Sequence, residues 1–181
     1  HEDLVIMFAS TSKISFPGSG VAVLAASPNN VADVKSRMTI QTIGHDKLNM
    51  LRHVRYFKDL AGIQEHMKLH AAILRPRFEA VLTALDTYLS GRGIASWHRP
   101  RGGYFVSVDL ADGCAQRTVE LLRQAGVSMT PAGATYPYGV DPHDSNIRIA
   151  PSYPSVEELQ IAMELFCICA ELAYLERLEK E

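Results

Sequence analysis

The chain has 181 residues and a formal net charge of −2, with 47% hydrophobic and 21% charged residues. That is the profile of an ordinary globular protein with room for one full domain, or for one domain plus part of another. It excludes binding to nucleic acid or an anionic membrane through bulk charge, and no run approaches the roughly 18 apolar residues of a membrane span.

Leu4 to Ala9 is a continuous apolar run bounded by polar residues, which predicts a buried strand, and Val21 to Ala26 repeats the pattern after the turn residues Pro17, Gly18 and Gly20. The opening HEDLVIMFAS has neither an initiator methionine nor a basic leader, and reads as a chain entered partway through a fold. SPNN at Ser27 to Asn30 supplies turn and cap residues for a short helix through about Arg37, and a second short helix is predicted over Asp46 to Arg55. From Asp59 to Leu89 the apolar residues Ile63, Met67, Ala71, Leu74, Phe78, Leu82, Leu85 and Leu89 recur every three or four positions. This marks a long amphipathic helix, kinked at Pro76 and stopped by Gly91 and Gly93. Strands are then expected at Ile94 to His98, Gly103 to Asp109, Val127 to Thr130 and Asn146 to Ala150, with a helix over Gln116 to Ala125. A terminal helix follows from Val156 to Arg177, capped by Ser155. Composition shifts near Asp59, so residues 1–58 read as a strand-rich piece that cannot close a sheet alone and 59–181 as a self-contained α/β unit.

The three cysteines, Cys114, Cys167 and Cys169, are odd in number, and two lie in an apolar helical run where cysteine acts as a small hydrophobe. They fit a reducing, cytoplasmic setting. No metal site is expected, because Cys167 and Cys169 point to different helix faces and His66 and His70 lack a metal-binding context, reading instead as a helix-face pair.

Lys13 follows Ser10, Thr11 and Ser12 at a strand end. Loops at strand ends are where α/β folds place ligands, and hydroxyls with backbone N–H groups suit a phosphate. Desolvation between two buried strands would lower the lysine pKa, as amine chemistry requires. By these features alone Lys13 is either such a working amine or a solvated loop charge. Lys47, Arg52, His53 and Arg55 form a basic cluster on or beside the second helix, which by itself reads as a solvated face, and Tyr136 and Tyr138 sit in the loop before Arg148.

Four motifs, taken together, carry a resemblance. STSKISFPGSG around Lys13, PRGGYFVSVDL at Pro100 to Leu110, AGVSMTPAG at Ala125 to Gly133 and NIRIAPSYPSVEEL at Asn146 to Leu159 resemble, in order, segments of the fold-type I pyridoxal-phosphate enzymes, the aminotransferase class I/II superfamily. FASTSKISFPGSGVA and QTIGHDKLNMLRHVRYF look typical of its aspartate-aminotransferase-like or MocR-like branch.

The resemblance implies an α/β fold in which a small C-terminal domain, a short mostly antiparallel sheet packed by long helices, follows strands of the large cofactor-binding domain. The rest of that domain would lie N-terminal to this chain, which by itself is expected to be inactive. The resemblance implies the cofactor pyridoxal 5′-phosphate (PLP), held as a Schiff base on Lys13, with Ser10 and Ser12 at its phosphate. Arg148 would bind the substrate carboxylate, a reading that the apolar alternation of IRIA favours over a surface arginine on an edge strand. The resemblance also sets the cluster of Lys47, Arg52, His53 and Arg55 near the substrate entrance and the subunit boundary, where it either reads a side-chain carboxylate or is a solvated face, and Tyr136 and Tyr138 either line that entrance or are solvated. The reaction implied is transamination between an amino acid, aspartate or another acidic or small one, and a 2-oxo acid, in a cytoplasmic homodimer. The alternatives on the same scaffold are a PLP-binding sensory domain of a MocR-type transcription regulator and a PLP lyase or decarboxylase. One departure stands out. Gly20 and Val21 occupy the place where members of the family commonly carry a phosphate-pairing arginine, and the nearest following cations are Lys35 and Arg37.

Overall fold

Two antiparallel strands, β1 (Ile6–Ser10) and β2 (Ala22–Ala26), pair from Ile6↔Ala26 to Ser10↔Ala22 and open the first of two compact units in the computed structural model, which describes residues 1–180. This unit runs from His1 to Ala72 and the second from Ile73 onward. Helix α1 (Pro28–Gln41) starts where Ser27 Oγ accepts the Asn30 N–H, with proline in the first turn, where its missing donor costs nothing. It continues past the expected stop at Arg37 because no glycine or proline interrupts the chain before Gly44. Helix α2 (Lys47–Phe57) is capped by Asp46, whose Oδ1 accepts the Asn49 N–H at 2.9 Å, and α3 (Leu60–Tyr88) follows with Pro76 inside it. The junction is tight: a Cβ on Gly62 would lie 1.9 Å from the Phe57 carbonyl oxygen, so only glycine fits there.

The strands of this unit are where expected, but they are not buried. Every residue of β1 is exposed, and Phe8 keeps 75% of its surface. An apolar run of this kind needs cover on both faces, and a two-stranded ribbon has no second layer to provide it.

In the second unit β3 (Ala95–Trp97), β4 (Val106–Leu110) and β5 (Asn146–Ile149) form an antiparallel sheet in the order β3-β4-β5. Val106, Val108 and Leu110 alternate inward, as period two requires, against Ile147 and Ile149 of β5. Helices α4 (Ala115–Gln124) and α5 (Val156–Leu178) and the later turns of α3 close the core through Val81, Leu85, Leu122, Met163, Phe166 and Ala170. The start of α5 is a capping box, with Ser155 Oγ accepting the Glu158 N–H and the Glu158 carboxylate accepting the Ser155 N–H. Arg117 of α4 forks onto Glu176 of α5 at 2.6 and 2.8 Å. All three cysteines are free and buried, and burial pushes the Cys167 thiol up to about 12, which makes it an inert packing group.

One predicted strand is absent. Residues 127–130 form no ladder; Val127 donates to the Leu122 carbonyl at the end of α4, and Val127 and Met129 pack on the core from an irregular segment. The architecture is otherwise the expected one, an α/β fold with a short antiparallel sheet packed by long helices.

Candidate active site

In the first unit the chain between β1 and β2 folds around Thr11. Its backbone N–H extends the ladder to the Val21 carbonyl, its hydroxyl accepts the Val21 N–H, and its carbonyl accepts the N–H groups of Ile14 and Ser15 at 3.0 and 2.8 Å. Ser12 and Lys13 therefore form the crest of a closed turn. Of the three hydroxyls before the lysine, that of Thr11 is spent on this closure. Those of Ser10 and Ser12 meet each other at 2.7 Å on the exposed side, with the Ser12 N–H donating to Ser10 Oγ.

Lys13 is exposed on the crest, so the expected burial of its amine between two apolar strands is not supplied by this unit. Gly20 has a steric reason. A Cβ there would sit 2.3 Å from Ser12 Oγ and 2.8 Å from the Ser12 backbone, so no arginine could stand at this position without displacing the lysine turn. The two substitute cations separate. Arg37 is forked onto Asp33 at 3.1 to 3.3 Å on the exposed face of α1. Lys35, in contrast, lines the same groove as Ser10 and Gly20, a space of ≈ 830 Å³ between the hairpin and α1 and α2.

The basic cluster on α2 also divides. Arg52 bonds Asn49 and lies over the Phe16 ring at 5.5 Å, whereas His53 turns inward to the hydroxyl of Ser15, a nearly fully buried residue. His66, expected on a helix face with His70, also turns inward: its ring packs against Phe16, Tyr56 and Phe57 and its Nε2 lies 3.3 Å from the Ser15 carbonyl. The centre of the His70 ring lies 4.3 Å from that of His66 with the two rings tilted, and desolvation, then the neighbouring His66, lowers the His70 pKa.

In the second unit β5 carries Arg148 opposite Ser107. The guanidinium carbon lies 4.3 Å over the ring of Phe105, and Nε is buried with no hydrogen-bond partner among the described residues. Phe105 is two residues before Ser107 and so a diagonal neighbour of Arg148 on the sheet face away from the core, which brings two of the sequence motifs together. The loop into β5 is fixed by Asp141. Burial works to raise the pKa of its carboxyl, but the N–H groups of Asn146, Ser145 and His143 bond the charged form and hold it below the usual range. Tyr136 and Tyr138 lie in that loop and are exposed, Tyr138 with a φ of 59°.

Sequence reading missed Ser15, Phe105 and the inward turn of His53. Their signals were present, a serine two residues after the lysine and an aromatic at the strand mouth, but each acquires a role only through a partner remote in sequence.

The sequence profile of the aspartate amino-transferase family matches residues 1–181. A curated relative from Corynebacterium glutamicum, an aspartate aminotransferase, is 44% identical over 93% of this chain and 39% of its own length. A solved aspartate transaminase from C. glutamicum has a TM-score of 0.89 at 44% identity, over 94% of this chain and 40% of that one. The α-aminoadipate aminotransferase of Thermus thermophilus, solved with N-(5′-phosphopyridoxyl)-L-leucine, shares the fold with a TM-score of 0.75 at 20% identity, over 94% and 42% of the two chains. The chain thus spans about 40% of the length of the relatives it matches.

Proposed function

The chain belongs to the aspartate amino-transferase family, and from that premise we propose that it is the C-terminal part of an enzyme that uses pyridoxal 5′-phosphate to transfer an amino group between an amino acid and a 2-oxo acid. Residues 1–58 are assigned to the large cofactor-binding domain and 59–181 to the small domain. The complete protein is assigned to the cytoplasm as a homodimer. The exposed apolar surface of β1 and β2 supports a covering domain contributed by the remaining length.

The observation that carries this reading is the closed turn that lifts Lys13 beside the Ser10 and Ser12 hydroxyl pair. When bound, pyridoxal phosphate supplies an electron-withdrawing ring that acidifies the substrate α-carbon. Lys13 would hold the cofactor through its ε-amine and, as a free amine, would carry the proton from the substrate α-carbon to the cofactor carbon that receives it in amino transfer. Ser10 and Ser12 offer hydroxyls to the phosphate, and Lys35 in the same groove offers the positive charge that Gly20 cannot. Arg148, with Nε unpartnered among the described residues and its guanidinium over the Phe105 ring, grips the substrate carboxylate through two parallel N–H bonds. Similarity to the C. glutamicum aspartate aminotransferase supports aspartate or another acidic or small amino acid as donor.

Lys13→Ala in the complete protein is the direct test. Loss of both the visible absorbance of bound pyridoxal phosphate and the transamination supports the reading, and retained turnover overturns it.

A further inference from the structure

The lysine turn meets α2 at the Ser15 hydroxyl, which faces Thr11 on one side and His53 on the other. His53 Nδ1 lies 2.8 Å from the Asn49 carbonyl, which can only accept, so Nδ1 carries the proton. In the neutral ring Nε2 is then an acceptor, and the group facing it at 3.0 Å is the Ser15 hydroxyl. Ser15 Oγ in turn lies 2.9 Å from Thr11 Oγ1, which already accepts the Val21 N–H at 2.9 Å. The Ser15 hydroxyl thus has three acceptors within reach, the Thr11 hydroxyl and carbonyl at 2.9 Å each and His53 Nε2 at 3.0 Å, and joins the lysine turn to α2 at one atom. Thr11 and Ser15 bracket Lys13, and Ser15 is only 3% exposed. Helix α2 grips the same loop a second time, through Asn49 Nδ2 to the Ser19 carbonyl at 2.8 Å.

We propose that His53 is a positioning residue for Lys13: through Ser15 and Thr11 it fixes the turn on which the amine stands, and so fixes the direction from which the amine meets a carbonyl ligand. The proposal rests on the reading of Lys13 as the group that holds pyridoxal phosphate. It also accounts for the only inward-facing member of the basic cluster on α2.

The design of the turn makes the link separable from folding. Without His53 Nε2, the Ser15 hydroxyl still has the Thr11 carbonyl 2.9 Å away as an acceptor, so His53→Phe leaves no buried donor stranded and keeps a ring against Phe16 and Phe57. Glutamine at this position places a polar atom near that of Nε2 and is the conservative variant.

The test uses the complete protein and pyridoxal phosphate as the probe, with three readouts: cofactor affinity, the visible circular dichroism per bound cofactor, and the thermal midpoint. His53→Phe and Ser15→Ala should each weaken binding about five-fold, the worth of one hydrogen bond, and reduce the dichroism signal at least by half with little change in midpoint. The double variant should be no worse than either single one, because both cut the same link. His53→Gln should recover most of the signal. Should His53→Phe fail to fold, Ser15→Ala and His53→Gln are read in its place. Affinity and dichroism within two-fold of the parent in Ser15→Ala or His53→Phe, effects that multiply in the double variant, or a His53→Gln as deficient as the apolar variants would each overturn the proposal. Visible absorbance that survives Lys13→Ala would instead overturn the proposed function, and this inference with it.

Discussion

The two units are stabilised in different ways. The second has a continuous apolar core, with α3, α4, α5, β4 and β5 contributing side chains that are almost wholly withdrawn from water and Ala95 and Trp97 of β3 packed, half-buried, against them. In the first, Phe57 is the one buried apolar side chain among the described residues, and order comes from polar closure: the Thr11 turn and the Asp3–Ser27 and Asn30–Asp3 bonds that fasten the first residues to α1. Hydrophobic burial scales with apolar area removed from water, whereas a net hydrogen bond adds only about 1 kcal/mol. The second unit therefore resists perturbation with its core, and the first depends on a few directed contacts and on whatever covers its apolar strands.

The largest expected effect comes from breaking that core. Phe166 is completely buried on α5, and Phe166→Ala should cost about 3–5 kcal/mol through lost transfer energy and the cavity left behind. Urea unfolding followed on the second unit checks it. A loss below about 1 kcal/mol would mean that the core collapses onto the gap and that the contrast between the units is weaker than drawn here.

A second test separates the units by function. Lys cannot reproduce the two parallel bonds of a guanidinium, so Arg148→Lys in the complete enzyme should raise KM for the amino acid at least about ten-fold with a smaller change in kcat. The visible absorbance of the cofactor should persist, because Lys13, the residue proposed to hold it, is in the first unit. Loss of that absorbance would show that Arg148 serves the cofactor and not the substrate.

How far the sequence led follows the same division. The long helices were legible because their apolar period runs for many turns, and their starts because Ser27, Asp46 and Ser155 are strong caps. The extents of β1 and β2 were also legible, but not their exposure: an apolar run states what a strand needs and not what is there to cover it. Residues 127–130, VSMT, misled because their alternation of apolar and polar residues is that of a strand, but four positions make one only where a neighbouring strand pairs with them. Of the residues proposed for the site, Lys13, Ser10, Ser12 and Arg148 stand in recognisable motifs. The Ser15–His53 bond joins residues 38 apart, and the Phe105–Arg148 stack depends on the register of β4 against β5; neither can be read until the chain is folded.

The smallest expected effect is the most pointed for the comparison. Phe8 is 75% exposed on β1, so within this chain Phe8→Ser removes almost no buried surface and should change stability by less than about 0.5 kcal/mol, as surface substitutions do. Hydrogen exchange of the paired β1 and β2 amides should be unaltered, since the ladder from Ile6↔Ala26 to Ser10↔Ala22 uses only backbone groups. In the complete protein the proposed covering domain would bury that ring, and a fully buried phenylalanine contributes about 1.5–3 kcal/mol. The same substitution should then become costly, and the difference between the two measurements reads out the missing cover directly. Equal and negligible costs in both would mean that β1 faces solvent in the complete protein as well, and that the first unit does not rely on a covering layer.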